Sequence, residues 1–404
     1  MNKAMAPVSL SHQLPIAERI DALFELAHRH GQAFAEPEAW LARQRYLAQH
    51  PTAIMVMKCM DGRINIPIAT RTPRGIIQPF RNLGGIFHLG WPHLGDIILG
   101  AVDKVMRQGR QALMMITYHH SRGDPRRGCA GFHYRTDDAR AHCFGIRDEI
   151  STLFGREHQS VYPLVCGFET DEEALVLHGT AGQTLAMADL QADDLPTLPA
   201  QLARLFPDMP AQVRHDLLPL LEGNFHHIAA LRQTERHLDV EHREWIICIG
   251  RGFDWLHLPN VALIIGPYSP DLNDPVRKAA GIIQANMRAG RIPGDGFLLL
   301  SSVPYEDIGV DRARAVLKSR FLARFAADVI RREFADLAPK MSVRTSVLHW
   351  QKRALDLLAD RRAAGAGDFL AVATPGAAHT CRKMHDPAPG TTGAMLCPTT
   401  APTA

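Results

Sequence analysis

Two short stretches hold residue types that do chemistry together. In KCMDGRINI, residues 58–66, Cys59, Asp61 and Arg63 stand two apart, directly after the apolar run AIMVM. In YHHSRGDPRRGCAGF, His119, His120 and Cys129 follow a second apolar run, QALMMIT. Two thiolates and one imidazole are the ligand mixture of a catalytic zinc site whose fourth position stays open to water. Zinc lowers the pKa of that water from 15.7 to roughly 7, which supplies hydroxide at neutral pH. A single cysteine at a strand end would read as a small buried hydrophobe. The group reads differently, because a carboxylate at the edge of a core is costly unless paired. Arg63, on the same strand face as Asp61, can hold it with both arms of its guanidinium. His119 and His120 cannot both face one metal from an extended segment, since successive side chains point to opposite sides. The strand period does not choose between them.

The elements that must position these residues alternate. Residues 10–50 read as helices, and AIMVMKC (53–59) as a buried strand. GIIQPFRNLGG (75–85) reads as a second strand, GDIILGAVDKVMRQG (95–109) as an amphipathic helix and QALMMITYH (111–119) as a third strand. SVYPLVCGF (160–168) adds a strand, and EEALVLHG (172–179) is ambiguous between strand and helix. Fully apolar strands alternating with helices imply an α/β fold, a parallel or mixed sheet flanked by helices.

The second half repeats the order: REWIICIGRGF (243–253) and NVALIIGPY (260–268) as strands, VRKAAGIIQANMRAG (276–290) as a helix, GFLLLSSVPY (296–305) as a strand. MRQGR at 106–110 and MRAGR at 287–291 both close the helix before an apolar strand. Aligning Cys59 with Cys248 brings the two strings into approximate correspondence, which implies an internal duplication. The second copy is degenerate: IGRGFDW follows Cys248 without the aspartate, and SSVPYED replaces the histidine segment. The expected organisation is a helical region at 1–50, the reactive domain at 51–182, a helical connector at 183–240, the degenerate copy at 241–372 and a loose tail at 373–404. Helix is expected from about 310 to 363. Cys381 and Cys397, in the Ala/Pro/Thr/Gly-rich tail, read as incidental thiols, and Cys143 and Cys166 as structural ones.

Composition excludes several classes. The chain has 404 residues, 46% hydrophobic and 22% charged, with a formal net charge of +3. Without a basic stripe, nucleic acid is not an expected partner. No uninterrupted apolar run approaches the length of a membrane span, so no membrane is expected, and the N-terminus does not read as a signal peptide. Seven scattered cysteines, an odd number, fit reduced thiols in a cytoplasmic protein better than a disulfide framework.

The C-x-D-x-R motif, the downstream R-N-x-G-G at 81–85 and a His then a Cys after the next strand together resemble the β-class carbonic anhydrases. The wide His-to-Cys gap, the C-x-D-G-R form and the degenerate second half resemble the divergent carboxysomal-shell branch more closely. Ordinary β-class members separate the His and second Cys by two residues, so that part of their signature is absent here. The resemblance covers about 53–180 by motif and 243–305 by architecture alone. It implies zinc held by Cys59, Cys129 and either His119 or His120. Family strand order favours His119, and alignment through Ser121 favours His120. Asp61 would accept a hydrogen bond from zinc-bound water or hydroxide, Arg63 would hold Asp61 off the metal, and Gln78 would line the substrate pocket. His88 and His93 could border it.

The resemblance further implies reversible hydration of carbon dioxide to bicarbonate, a homodimer or higher oligomer, and carboxysome components as partners. The short helical N-terminal region, with no long tethering extension, points equally to the free cytoplasm. Two other readings share the scaffold: hydrolysis of carbon disulfide or carbonyl sulfide, and a non-catalytic zinc-binding scaffold. The Asp61–Arg63 pair argues against the scaffold, since a structural zinc is usually closed by four protein ligands and needs no gate.

Overall fold

A computed structural model describes residues 12–359, apart from residues 237, 238 and 257. Two helices come first, α1 (Ile16–Ala35), entered through Pro15, and α2 (Pro37–Gln49), with a proline in its first turn where the missing N–H costs nothing. The first sheet then forms from β1 (Ala53–Cys59), β2 (Ile77–Asn82), β3 (Ala112–His120), β4 (Val161–Glu169), β5 (Ala174–His178) and β6 (Thr184–Ala186). Its helices are the short α3 (Ile66–Ala69), α4 (Pro92–Met106) between β2 and β3, and α5 (Thr136–Phe154) between β3 and β4. The strand order is β2-β1-β3-β4-β5-β6, with the first four parallel and the last two antiparallel. EEALVLHG is thereby resolved as strand.

Strand β1 shows why its run is apolar throughout. Ile54 and Val56 join one core with Leu217, Leu220 and Leu221, while Met55 and Met57 join the other with Ile98, Val102 and Ile146. A parallel strand covered on both faces needs apolar side chains at both parities. The connector carries α6 (Leu198–Leu205) and α7 (Ala211–Leu231), and α7 supplies the leucines of the first core.

The second sheet is built from β7 (Ile246–Ile249), β8 (Ala262–Ile265), β9 (Phe297–Tyr305), β10 (Met341–His349) and β11 (Ala354–Leu357), with α8 (Asn273–Arg288) and α9 (Val310–Glu333) as its helices. Its order, β8-β7-β9-β10-β11, and its strand directions match the first five strands of the first sheet. The helix expected over 310–363 stops at Glu333. The remainder is β10 and β11, whose edge positions tolerate the polar residues in MSVRTSVLH. The expected tail, with Cys381 and Cys397, lies outside the described residues.

Register corrects the expected alignment of the two halves. His120 pairs with Glu169, and Tyr305 pairs with His349; each partner opens a hairpin of the same length, to Ala174 and to Ala354. Seven residues back from His120 and Tyr305 are Leu113 and Leu298, which pair with Ile54 and Ile246. Five residues on from those stand Cys59 and Arg251. Cys248 therefore matches Val56, not Cys59, and is an inert core thiol, wholly buried in the second sheet. By the same count Pro304 stands at the place of His119.

The sheets join at their edges. β2 and β8 lie together, Ile264 N–H donating to Met60 O at 3.0 Å and Gly266 N–H to Arg81 O at 2.8 Å. Asn260 N–H donates to Gly62 O at 2.7 Å. The described residues thus pack as one compact unit.

Candidate metal centre

Cys59 ends β1 and His119 sits one residue before the end of the neighbouring β3, so the parallel pair delivers both to one edge of the sheet. Cys129 arrives from the loop after β3. The turn that follows it, Ala130–Phe132, rests on the RNLGG turn: a Cβ on Gly131 would stand 2.7 Å from Gly84 Cα. Gly84 itself has φ +69°, the left-handed region that favours glycine. This contact fixes the loop and brings Sγ of Cys129 to the strand ends.

One donor atom each from Cys59, His119 and Cys129 lies within 4.8 Å of the others, and all three residues are buried. Zinc–ligand bonds of about 2.0–2.3 Å suit such a triangle. Although His119 is 1% exposed, neither of its ring nitrogens has an oxygen or nitrogen partner within hydrogen-bond geometry, and the ring faces the Cys59 thiol. A buried imidazole in that condition calls for a ligand. The two thiols are free and share a hydrogen bond, which pushes Cys59 well above the usual thiol range and lowers Cys129. This donor set could hold a metal ion that accepts thiolate and imidazole ligands.

His120 points elsewhere. Its ring stacks against Tyr118 with centroids 5.9 Å apart, and burial pushes it down to about 4. Of the two adjacent histidines, His119 alone faces the thiols.

Asp61 and Arg63 form the expected fork. Arg63 Nε donates to Asp61 Oδ1 at 3.1 Å, its terminal nitrogen donates to Oδ2 at 2.7 Å, and its backbone N–H reaches Oδ1 at 2.9 Å. Arg63 also donates to the carbonyls of Arg127 and Val240, at 2.8 and 2.9 Å. Burial alone would raise the Asp61 carboxyl. The guanidinium, with His242 and His119 adding to it, more than offsets this and holds Asp61 well below the usual carboxylate range. Burial opposes the charge on Arg63 too, and Asp61 restores it, so the guanidinium stays charged. Asp61 Oδ2 remains 3.9 Å from His119 Nε2, beside the candidate metal ligands but engaged by arginine.

Arg81 braces this arrangement by donating to the Asp61 carbonyl at 2.9 Å while bound to Asp254 at 2.8 Å. Next to Cys59, Lys58 is buried and donates to Ile64 O at 3.3 Å, and burial pushes its ammonium down to about 7.

No protein-family model matches this chain, and no curated protein is significantly similar to it. Its chemistry has to be read from its own residues.

Two of those residues escaped the sequence reading. His242 Nε2 lies 3.7 Å from Asp61 Oδ2 and 3.1 Å from the Arg63 guanidinium, and its Nδ1 lies 2.9 Å from Glu244. Glu244 is wholly buried and accepts the Gly62 N–H at 3.0 Å. Burial would raise the Glu244 carboxyl; His242, and Arg63 with it, bring it below the usual value. Both residues just precede β7, far from the motif in sequence, and only the charged pair before an apolar strand hints at them. Gly62 also shows why the motif carries glycine: a Cβ there would meet Ala262 O at 2.8 Å.

Gln78 is placed away from this centre. It pairs with Met55, four residues back along β2 from Asn82, which pairs with Cys59. At about 3.3 Å per residue that is roughly 13 Å away. Gln78 lines a separate cleft of about 780 Å³ with Arg251 and Arg353. His88 is engaged with Glu149, and His93 lies against Lys318. Cys143 and Cys166 are buried in the first sheet's cores.

The space beside the three donors is small, about 10 Å³, lined by Cys59, Asp61, His119, His242, Leu263 and Ile282 among others. That is about the room one water needs. A second group, His50, His215 and Asp216, also comes close together, but Asp216 is already taken by Thr52 N–H and Gln212. Among the described residues no helix is long and apolar enough to cross a membrane.

Proposed function

We propose that the chain is a zinc-dependent carbonic anhydrase that interconverts carbon dioxide and bicarbonate. The observation that carries this reading is the Cys59–His119–Cys129 triangle lying beside an aspartate that an arginine holds by both oxygens. Three protein donors leave a fourth position open, and zinc held there would activate a water molecule as nucleophile. Asp61, kept ionised, would accept a hydrogen bond from such a water and orient it. Arg63 fixes the carboxylate so that it does not take the open position itself. Leu263 and Ile282 give the space beside the donors apolar walls. His242, hydrogen-bonded through Nδ1 to Glu244 and in contact with Arg63 through Nε2, lines the same space and would be the group to carry a proton outward.

The shared strand order of the two sheets supports an origin by duplication, in which the second copy lost its ligands and kept the packing face. The decisive experiment is metal analysis with a carbon dioxide hydration assay on the wild type, Cys129→Ser and Asp61→Ala. Wild type should carry one zinc and hydrate carbon dioxide. Cys129→Ser should lose the metal, and Asp61→Ala should keep it and lose most of the activity. A fully zinc-loaded wild type that fails to hydrate carbon dioxide from neutral to alkaline pH would overturn the reading.

A further inference from the structure

The second sheet has its own cavity at the place that corresponds to the metal centre. Register puts Arg251 where Cys59 stands and Pro304 where His119 stands. Both line a cavity of about 170 Å³ with Arg314, Lys318, His93 and Tyr268. No carboxylate lines it.

Among the described residues neither Arg251 nor Lys318 forms an ion pair. Arg251 is held by aromatic faces, its guanidinium 5.1 Å from the Phe80 ring and 5.8 Å from that of Trp350, and its Nε is buried without a partner. Lys318 Nζ lies 3.0 Å from His93 Nε2. Burial, with Arg314 and Arg251 adding to it, lowers the Lys318 ammonium. Arg314 is paired with Asp311 at 2.8 Å and sits at the exposed rim. Tyr268 is 1% exposed, fixed between Phe80 and Phe87, and its hydroxyl has no hydrogen-bond partner. Burial pushes that phenol up to about 12, so it keeps its proton and can donate. Converging cations and an unsatisfied buried donor are costly until an anion joins them.

We propose that this cavity binds a small oxyanion of the bicarbonate or phosphate class, gripped by Arg251 and Lys318 and capped by the Tyr268 hydroxyl. Where the first half gathers ligands for a metal cation, the second carries a fixed cation of its own. The volume, below the roughly 300 Å³ at which pockets for drug-sized ligands begin, suits a single ion with a few waters. The inference does not depend on hydration activity, since none of these residues touches the metal centre.

The test is isothermal titration of the purified full chain with bicarbonate and, separately, with inorganic phosphate. The variants are Arg251→Met, Lys318→Met and Tyr268→Phe. One equivalent of phosphate should bind to wild type, and bicarbonate should show one equivalent that competes with it. Losing a charged hydrogen-bonding partner should weaken binding about 10- to 100-fold in Arg251→Met and Lys318→Met. Tyr268→Phe should weaken it less, and zinc content and hydration rate should stay at wild-type levels throughout. Should Arg251→Met fail to fold, because its aromatic stacking is lost, Lys318→Met and Tyr268→Phe decide. Tighter binding of bicarbonate would identify the reaction's own product, and tighter binding of phosphate a phosphorylated metabolite. Absence of saturable binding of either anion, or unchanged affinity in the folded variants, overturns the proposal.

Discussion

Replacing Arg63 by methionine tests the logic of the centre most directly. The pair is nearly dry, with side chains 3% and 5% exposed. At 2.7 Å and an effective dielectric of about 20, its Coulomb attraction is roughly 6 kcal/mol. Desolvation cancels part of that, and breaking one partner of a buried pair is expected to cost about 3–5 kcal/mol. His242, 3.7 Å from Asp61, can recover a fraction. Chemical denaturation should therefore show Arg63→Met less stable by about 3 kcal/mol or more. Asp61, released from its fork, would be drawn to the cation held by the three donors. Metal analysis should show zinc retained while hydration falls by about 100-fold or more. The double variant Asp61→Asn/Arg63→Met removes both charges and should regain much of the stability, though not the activity. Arg63→Lys, lacking a planar fork, should not rescue. An Arg63→Met protein as stable and active as wild type would refute the gate. So would a double variant less stable than the single.

Four further outcomes follow from the geometry. His119→Ala should abolish stoichiometric zinc by metal analysis, whereas His120→Ala should retain it. Gly62→Ala forces a Cβ to 2.8 Å from Ala262 O, and denaturation should show a loss of about 1–3 kcal/mol. His242→Ala should keep zinc but lower turnover about 10-fold, with added imidazole restoring part of it. His30, 7% exposed and packed edge-on against Trp255, is pushed by burial down to about 4. Between that value and its unfolded value near 6.5, the unfolded chain binds a proton that the folded chain refuses. Stability is therefore full above about pH 6.5 and falls toward pH 4, by up to about 3 kcal/mol. His30→Phe should flatten that part of a stability-against-pH profile.

The strand ends of the first half were legible because their apolar runs stop at residues a core does not want. Cys59, Asp61 and Arg63 could be read from type and spacing, and His119 only as one of a pair with His120. What failed did so for physical reasons. Cys248 attracted an alignment because cysteine is the rarer letter, yet a buried thiol is an ordinary core residue, and only strand pairing reveals Arg251 as the counterpart. Gln78 follows the motif in order but lies at the far end of its strand, a distance that order does not encode. MSVRTSVLH reads as helix because a strand near a sheet's edge leaves polar side chains in the open. His242 and Glu244 meet Asp61 and Gly62 only through contact between the two halves, which no local pattern announces.

That contact bears on when the centre can exist. A ribosome releases the thiols, the imidazole, Asp61 and Arg63 well before it reaches His242, Glu244 and Asn260. The nascent first half would hold its metal donors with Gly62 N–H unanswered and the Arg63 fork open on the side that Val240 and His242 later cover. Completion of the centre thus waits on synthesis of the second half. An abandoned translation product would bind metal without acquiring a finished gate.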